Sequence, residues 1–499
     1  MQFDQIRRRI VLAVILLAAA IAVVRLVLVA RDFDTVITAA NFEAARDDRT
    51  ALRAFLQRMP KGGDLHTHLV GAVYAERFIA WAAQQGLCVD PSNVLLAKSE
   101  CGRSPGAVPV AQALGDQTLY DRLVNAFSMR GFLPSPAVPT EHDEFFATFD
   151  RFDAVTGAHF VDMMVDRLRQ YDSENVQYVE FMVLFFCPSD RDRFLQAIAD
   201  KPDDTGKLAA LQASGLNACV KAKRDEISDV TAKIRMALGC RPPETQAGCR
   251  VTFRYIQQVL RDTPVDDVFI QTAVAAALIR AEPQMMVALN FVQPEDSLVA
   301  RRDYTRHMEI IRFLAKDVPV ALHAGELWLG LVPPQDLTFH IREAIEIAGA
   351  RRIGHGVALA FERDMDGLLA EMRRRSVAVE ISLTSNDVIL GVRGKDHPLP
   401  AYLAAGVPVV LSTDDSGVSR INLTNEYFRA VRDYGLGYRA LKGIARSALI
   451  HSFLDDGQKR QELARFDRSY AEFERSTANG RAHLQNALTL IKAAIMPPA

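Results

Sequence analysis

The stretch from Val318 to Val357 reads VPVALHAGELWLGLVPPQDLTFHIREAIEIAGARRIGHGV. It opens on a short apolar, β-branched run, Val318 to His323, and closes on a second, Arg352 to Val357. Between them, Gln335 to Ala348 spaces its apolar residues as a helix does. Strand, helix and strand in this order read as a parallel βαβ unit, because parallel neighbours need a crossover of a dozen or more residues.

The same rhythm extends outward. A helix-period stretch, Glu362 to Arg375, leads to apolar runs at Val377 to Leu383 and Val407 to Ser412. Toward the N-terminus lie Met285 to Val292, Val251 to Leu260, Val176 to Phe186 and Asp64 to Leu69. Eight strands alternating with helices close into a ring more readily than they form an open sheet. The expected fold is therefore α/β, a (β/α)8 TIM barrel formed by one domain over residues 32–499. The gaps after strands one and two are long. They hold Pro-rich and Cys-bearing segments at Ser104 to Pro109, Pro134 to Pro139, Lys201 to Gly206 and Arg241 to Gly248. We read these as insertions on the barrel that build either a homodimer interface or a substrate lid. From Leu441 onward the pattern is helical.

Of 499 residues, 49% are apolar and 24% charged, which excludes a largely disordered or fibrous chain. The balance of 59 Lys plus Arg against 61 Asp plus Glu lacks the basic excess of a nucleic-acid binder. At the N-terminus, Arg7, Arg8 and Arg9 precede an apolar run from Ile10 to Val24, resumed after Arg25 from Leu26 to Ala30. A basic start and an apolar run read as an export signal, with Ala20-Ile21-Ala22 as a cleavage candidate. Continued to Ala30, the run approaches the ~20 residues that span a bilayer. Residues 1–31 are thus expected to be a signal peptide or signal anchor. The rest of the chain would be exported to a periplasmic or extracellular space, with membrane contact through this segment only. The six cysteines suit an oxidising space. Local spacing favours Cys88 with Cys101 and Cys240 with Cys249, while fifteen pairings, and free buried thiols, stay open.

The chemistry-bearing residues fall at strand ends. His66 and His68 alternate on the first strand, so both imidazoles face one side. His323-Ala324-Gly325-Glu326 ends the fifth strand, Gly354-His355-Gly356 the sixth and Thr413-Asp414-Asp415 the eighth. In a barrel these ends converge on one rim, where histidines and a carboxylate make a catalytic zinc set. The small Gly325, Gly354 and Gly356 would let a substrate approach the backbone. Taken singly, His355 could be a turn residue and the paired aspartates a helix cap. Asn422-Leu423-Thr424 matches a glycosylation acceptor, a tripeptide common by chance.

With these pieces in order, the chain resembles the adenosine deaminase branch of the amidohydrolase superfamily, including its secreted growth-factor-like members. The resemblance covers roughly residues 59 to 455. It rests on Met59-Pro60-Lys61 before Leu65-His66-Thr67-His68-Leu69, on the two motifs at His323 and His355, and on Ser382-Leu383-Thr384-Ser385-Asn386. Ala405-Gly406-Val407 leading to Ser412-Thr413-Asp414-Asp415 completes it. It implies one zinc ion (Zn2+) per chain, held by His66, His68, His323 and Asp414. It also implies Glu326 as proton donor, His355 as base and electrostatic partner of the zinc-bound hydroxide, and substrate contacts from Asp415, Gln293 and Gly71. The implied reaction is hydrolytic deamination of adenosine or a related 6-aminopurine.

Three positions depart from the family pattern: Val70 stands where an acidic residue is usual, Gln293-Pro294 where a glycine is usual, and Ser416 where a proline follows the aspartates. Two other readings remain: a zinc amidohydrolase acting on another cyclic amidine or amide, and a non-catalytic cell-surface binding protein of the same fold.

Overall fold

Each of the eight apolar runs is a strand in the computed structural model, which describes residues 33–478 apart from Ala137 and Glu244. They are β1 (Gly62–His68), β2 (Val176–Val183), β3 (Thr252–Leu260), β4 (Met286–Val292), β5 (Ala321–Ala324), β6 (Arg352–His355), β7 (Ala378–Ile381) and β8 (Val409–Leu411). Most are buried along their whole length, as strands between a filled interior and an outer layer of helices must be. All pairings are parallel: β1 to β4 form one sheet in chain order and β5 to β8 the other. Bridges between Leu289 and Val320 and between Thr67 and Asp414 join the two sheets at both edges. The strands therefore follow one another around a closed ring, consistent with the expected barrel. Its seam is tied by the Asp414 N–H donating to the His66 carbonyl (2.9 Å) and the Thr67 hydroxyl to the Asp414 carbonyl (3.0 Å).

Both long gaps are insertions with structure of their own. After β1, Cys88–Val89 pairs antiparallel with Leu95–Leu96 and Val108–Pro109, beside the Cys88–Cys101 disulfide. Helices Glu141–Thr156 and Phe160–Ser173 follow. After β2, Cys187 is bonded to Cys219 in the helix Leu216–Leu238, and Cys240 to Cys249 before β3. All six cysteines are paired, the two locally favoured pairings among them.

The helix between β5 and β6 is shorter than its sequence pattern. It spans His340–Glu346 behind a single tight turn at Pro334–Leu337. Pro333 and Pro334 lack backbone donors, and the Glu362 carboxylate receives the orphan N–H of Ile341 at 2.6 Å, which fixes where the helix begins. At the opposite end of the barrel from the site, the helix Asp456–Ala478 crosses the strand starts, with the Gln177 amide donating to the Glu462 carbonyl (2.9 Å). Asn422, in the acceptor tripeptide, caps the helix Leu423–Tyr434 by accepting from the Asn425 N–H (3.0 Å).

The N-terminal apolar segment, 1–31, lies outside the described residues. Among the described residues, no helix is long and apolar enough to cross a membrane.

Candidate active site

The barrel register decides which side chains meet. His323 on β5 lies opposite Gly354 on β6, and Ala324 opposite His355. Asp414, itself bridged to Thr67 at the seam, is thereby set beside the β1 histidines. The Nε2 atoms of His68 and His323 are 3.2 Å apart. Asp414 Oδ1 is 3.3 Å from His68 Nε2 and 3.5 Å from His66 Nε2. Four ligands at about 2.0–2.1 Å in a tetrahedron stand about 3.3–3.4 Å from one another. These three distances match the ligand spacing of a metal centre. His66 Nε2 and Asp414 Oδ1 are buried without a hydrogen-bond partner, as the ligand atoms of such a centre would be. His355 also offers a ring nitrogen within the 4.8 Å cluster formed with His66, His323 and Asp414.

Each imidazole is oriented through its other nitrogen, as metal-bound histidines are. His66 Nδ1 meets Glu380 Oε2 at 2.6 Å. His323 Nδ1 meets Asn290 Oδ1 at 2.9 Å, and that oxygen is identified because it also accepts the His323 backbone N–H at 3.0 Å. His68 Nδ1 meets the Gln258 amide at 2.7 Å. At His66 and His323 the partner is an oxygen that accepts from Nδ1 and leaves Nε2 with its lone pair directed at the centre, and the Gln258 amide must turn its oxygen to Nδ1 to do the same for His68. Glu380 is held in turn by Arg352, which pairs with Glu180 at 2.5 Å, so a buried carboxylate–guanidinium–carboxylate row lies beneath the histidines. The Ser385 hydroxyl fixes Asp414 by donating to Oδ2 at 2.6 Å.

Glu326 and Asp415 are the remaining carboxyls. The Glu295 carboxylate accepts the backbone N–H groups of Gly325 (3.0 Å) and Glu326 (2.8 Å), and also engages His340 Nδ1 at 2.6 Å. That clamp fixes the main chain that carries Glu326. Burial first, and the Asp414 charge second, push both the Glu326 and Asp415 carboxyls well above the usual carboxylate range. Each carboxyl, when protonated, can donate a proton. His355 Nδ1 is 3.5 Å from Glu326 Oε1, and its Nε2 is 3.8 Å from Asp414 Oδ2. His355, Asp414 and Gln293 all have left-handed backbone, with φ of 66°, 57° and 80°. Such conformations cost about 1–3 kcal/mol each and gather at functional sites.

These groups sit at one end of a cavity of about 860 Å³. His68, His323, Glu326, Asp414, Asp415, Gln293 and Val70 all line it. Both insertions contribute as well, through Phe145, Phe146 and Phe149 of the first and Val230 of the second. The insertions are therefore walls of the cavity.

Two expectations change. Gly71 does not line the cavity. A Cβ there would fall 1.6 Å from Asp415 Oδ1, so this glycine makes room for the aspartate and does not itself face a substrate. Likewise the strand-end glycines accommodate protein groups. A Cβ on Gly354 would meet His66 Cε1 at 2.6 Å, one on Gly356 the Tyr402 hydroxyl at 2.6 Å, and one on Gly325 the Ile341 side chain at 2.8 Å.

The supporting residues Glu180, Glu380, Arg352, Asn290, Gln258 and Glu295 were not anticipated. A signal existed for the two strand glutamates: each is a lone carboxylate inside a buried apolar strand, VQYVEFMV and AVEI, where a charge must have a partner.

A family model described as adenosine deaminase matches residues 220–468. The chain belongs to the adenosine deaminase family. Among its relatives, aminodeoxyfutalosine deaminase of Streptomyces coelicolor is 34% identical over 186 residues, 37% of this chain and 44% of that protein. The match thus spans under half the length of that relative. Adenosine deaminase 2 of Sus scrofa is 23% identical over 458 residues, 87% of this chain and 82% of that protein. In fold, this adenosine deaminase family member is similar to the N6-methyl-AMP deaminase of Arabidopsis thaliana, with a TM-score of 0.55 at 20% identity, covering 84% of this chain and 99% of that one.

Proposed function

We propose that this protein is a zinc-dependent aminohydrolase that converts adenosine or a related 6-aminopurine to the 6-oxopurine and ammonia. The observation that carries the reading is the gathering of His66, His68 and His323 around Asp414, beside a cavity also lined by Glu326 and Asp415, two carboxyls whose pKa burial raises. His66, His68, His323 and Asp414 would hold the ion. Zinc bound there supplies a water of pKa about 7, and so a hydroxide at neutral pH for attack at purine C6.

The chain's own residues do the rest. Glu326, protonated when substrate binds, donates to ring N1 and disperses the charge that develops as C6 becomes tetrahedral. Asp415, also protonated, donates to the lone pair of N7 and holds the ring plane. His355 faces the same position from the other side of Asp414 and acts on the attacking oxygen. The C6–N bond breaks as the proton of the attacking hydroxide passes to the amino group, which leaves as ammonia and leaves a carbonyl at C6. The backbone N–H of Gln293 is the donor we assign to the purine at the β4 end, since Pro294 has none. The three disulfides fit the exported, oxidising location expected from the N-terminus.

The test is direct. A chain beginning at Asp32, produced with export, is assayed for bound metal and for ammonia release from adenosine, deoxyadenosine, adenine and other aminopurines. One zinc with rapid release from adenosine supports the reading. Zinc with release only from other cyclic amidines replaces the substrate, and zinc without release from any compound leaves a binding protein.

A further inference from the structure

Two residues outside the proposed chemistry determine which nitrogen of His355 carries hydrogen. Pro398 has no N–H, so Leu399 supplies an early orphan donor of the short helix Leu399–Ala404. That N–H donates to His397 Nδ1 at 3.1 Å. A backbone N–H can only donate, so His397 Nδ1 is an acceptor, and the neutral ring carries its hydrogen on Nε2. Burial holds the His397 ring far below the usual histidine range, at about 3, so the neutral form is the one present near pH 7.

His397 Nε2–H then donates to Asn386 Oδ1 at 3.0 Å. This fixes the amide the other way round, and Asn386 Nδ2 donates to His355 Nδ1 at 2.9 Å. His355 Nδ1 is therefore an acceptor, and the ring hydrogen must lie on Nε2. The reverse arrangement would turn His397 Nδ1–H against the Leu399 N–H, donor against donor. All three side chains are buried, at 0% for His355 and Asn386 and 2% for His397, so water cannot replace a lost link. His355 Nε2, without a protein partner, points toward the Asp414 side of the centre.

We propose that Asn386 and His397 are positioning residues that lock His355 in the Nε2–H tautomer, so that His355 meets the attacking oxygen as a hydrogen-bond donor and is barred from serving as a fifth metal ligand. The consequence for turnover rests on the deaminase reading, while the tautomer itself rests only on the hydrogen bonds. A locked tautomer matters because a misassigned ring hydrogen alone costs a serine protease about 10⁴ in kcat.

The experiment uses the zinc-loaded protein labelled with 15N-histidine, together with three variants. In the unsubstituted protein, His355 shows an unprotonated Nδ1 and a protonated Nε2. Asn386→Asp, nearly isosteric but without a donor, draws the hydrogen to Nδ1. It lowers kcat by roughly 10²–10⁴ while KM and zinc content stay within about twofold. His397→Phe removes the anchor and lowers kcat at least about tenfold, whereas His397→Gln, which can still donate to Asn386 Oδ1, keeps it within a few-fold. A merely structural role would not separate the Phe and Gln variants at equal stability.

The proposal is overturned by an Nδ1–H tautomer in the unsubstituted protein, or by Asn386→Asp turning over at the full rate. Should Asn386→Asp not fold, the tautomer of the unsubstituted protein and the His397 pair still decide. An Nε2–H tautomer in a protein that releases no ammonia would sink the deaminase reading and leave the relay standing.

Discussion

The Nε2 atoms of His68 and His323 face each other at 3.2 Å, and the His323 nitrogen presents a lone pair, because its Nδ1 is committed to Asn290. Two ring nitrogens so placed, beside the buried Asp414 carboxylate, would be held together by a shared cation in the proposed zinc site. Removing it with a chelator is expected to lower the melting temperature, and adding zinc back to restore it. At a free zinc concentration of about 1,000 Kd the linkage contributes about 4 kcal/mol. Calorimetry of chelated and reloaded protein checks this, and equal melting temperatures would refute it.

Glu380 meets His66 at Nδ1, the ring nitrogen opposite the proposed ligand atom. Changing Glu380→Gln keeps the shape but weakens the hold on the ring hydrogen and leaves Arg352 facing a neutral amide. Metal affinity should fall about 10–100-fold, as for other outer partners of metal-bound histidines. Competition against a zinc indicator measures it.

Glu326 is the proton donor in the proposed reaction, and burial raises its pKa. A donor must be protonated, so activity is retained below its pKa and lost as pH rises through it. Glu326→Gln should lower kcat by about 10²–10⁴ and remove that alkaline limb, with bound zinc unchanged. A variant of near-normal rate would exclude the assigned role.

Glu362 connects sequence, helix start and pH-dependent stability. Its carboxyl caps Ile341 and Arg342, yet burial raises its pKa from 4.5 to about 7. The folded state therefore holds a proton more tightly than the unfolded chain does. Stability from this group is greatest below about pH 4.5 and declines as pH rises toward 7. At pH 8, Glu362→Gln should gain about 1–3 kcal/mol over its own difference from the parent at pH 4.5. Paired denaturation curves at the two pH values test the sign.

The Cys187–Cys219 bond closes a separation of 32 residues, against 9 for Cys240–Cys249. On loop entropy alone, replacing both members of the first pair by serine should cost about 1 kcal/mol more than replacing the second. Urea unfolding of the two double variants decides it.

Much of this site was legible in the sequence because barrel geometry turns position along a strand into position on a rim. Period two put His66 and His68 on one side, and strand ends gathered His323, His355 and Asp414. The helix before β6 was overextended because apolar spacing carries no record of where a capping carboxylate sits. Glu295, Asn290 and Gln258 were missed because a hydrogen bond across strands leaves no periodic trace in the chain. Gly71 was misjudged for a related reason: a missing side chain can make room for a substrate or for a neighbouring aspartate, and only the fold shows which.

The seam of the ring has a consequence for how the protein is made. Thr67 and Asp414, joined across it, are 347 residues apart in the chain. Two of the four ligands leave the ribosome near the start of synthesis and the last only near its end. A chain truncated before β8 keeps seven of the eight strands but lacks Asp414 of the proposed ligand set. Tight zinc retention therefore reports that translation reached the eighth strand and that the ring closed.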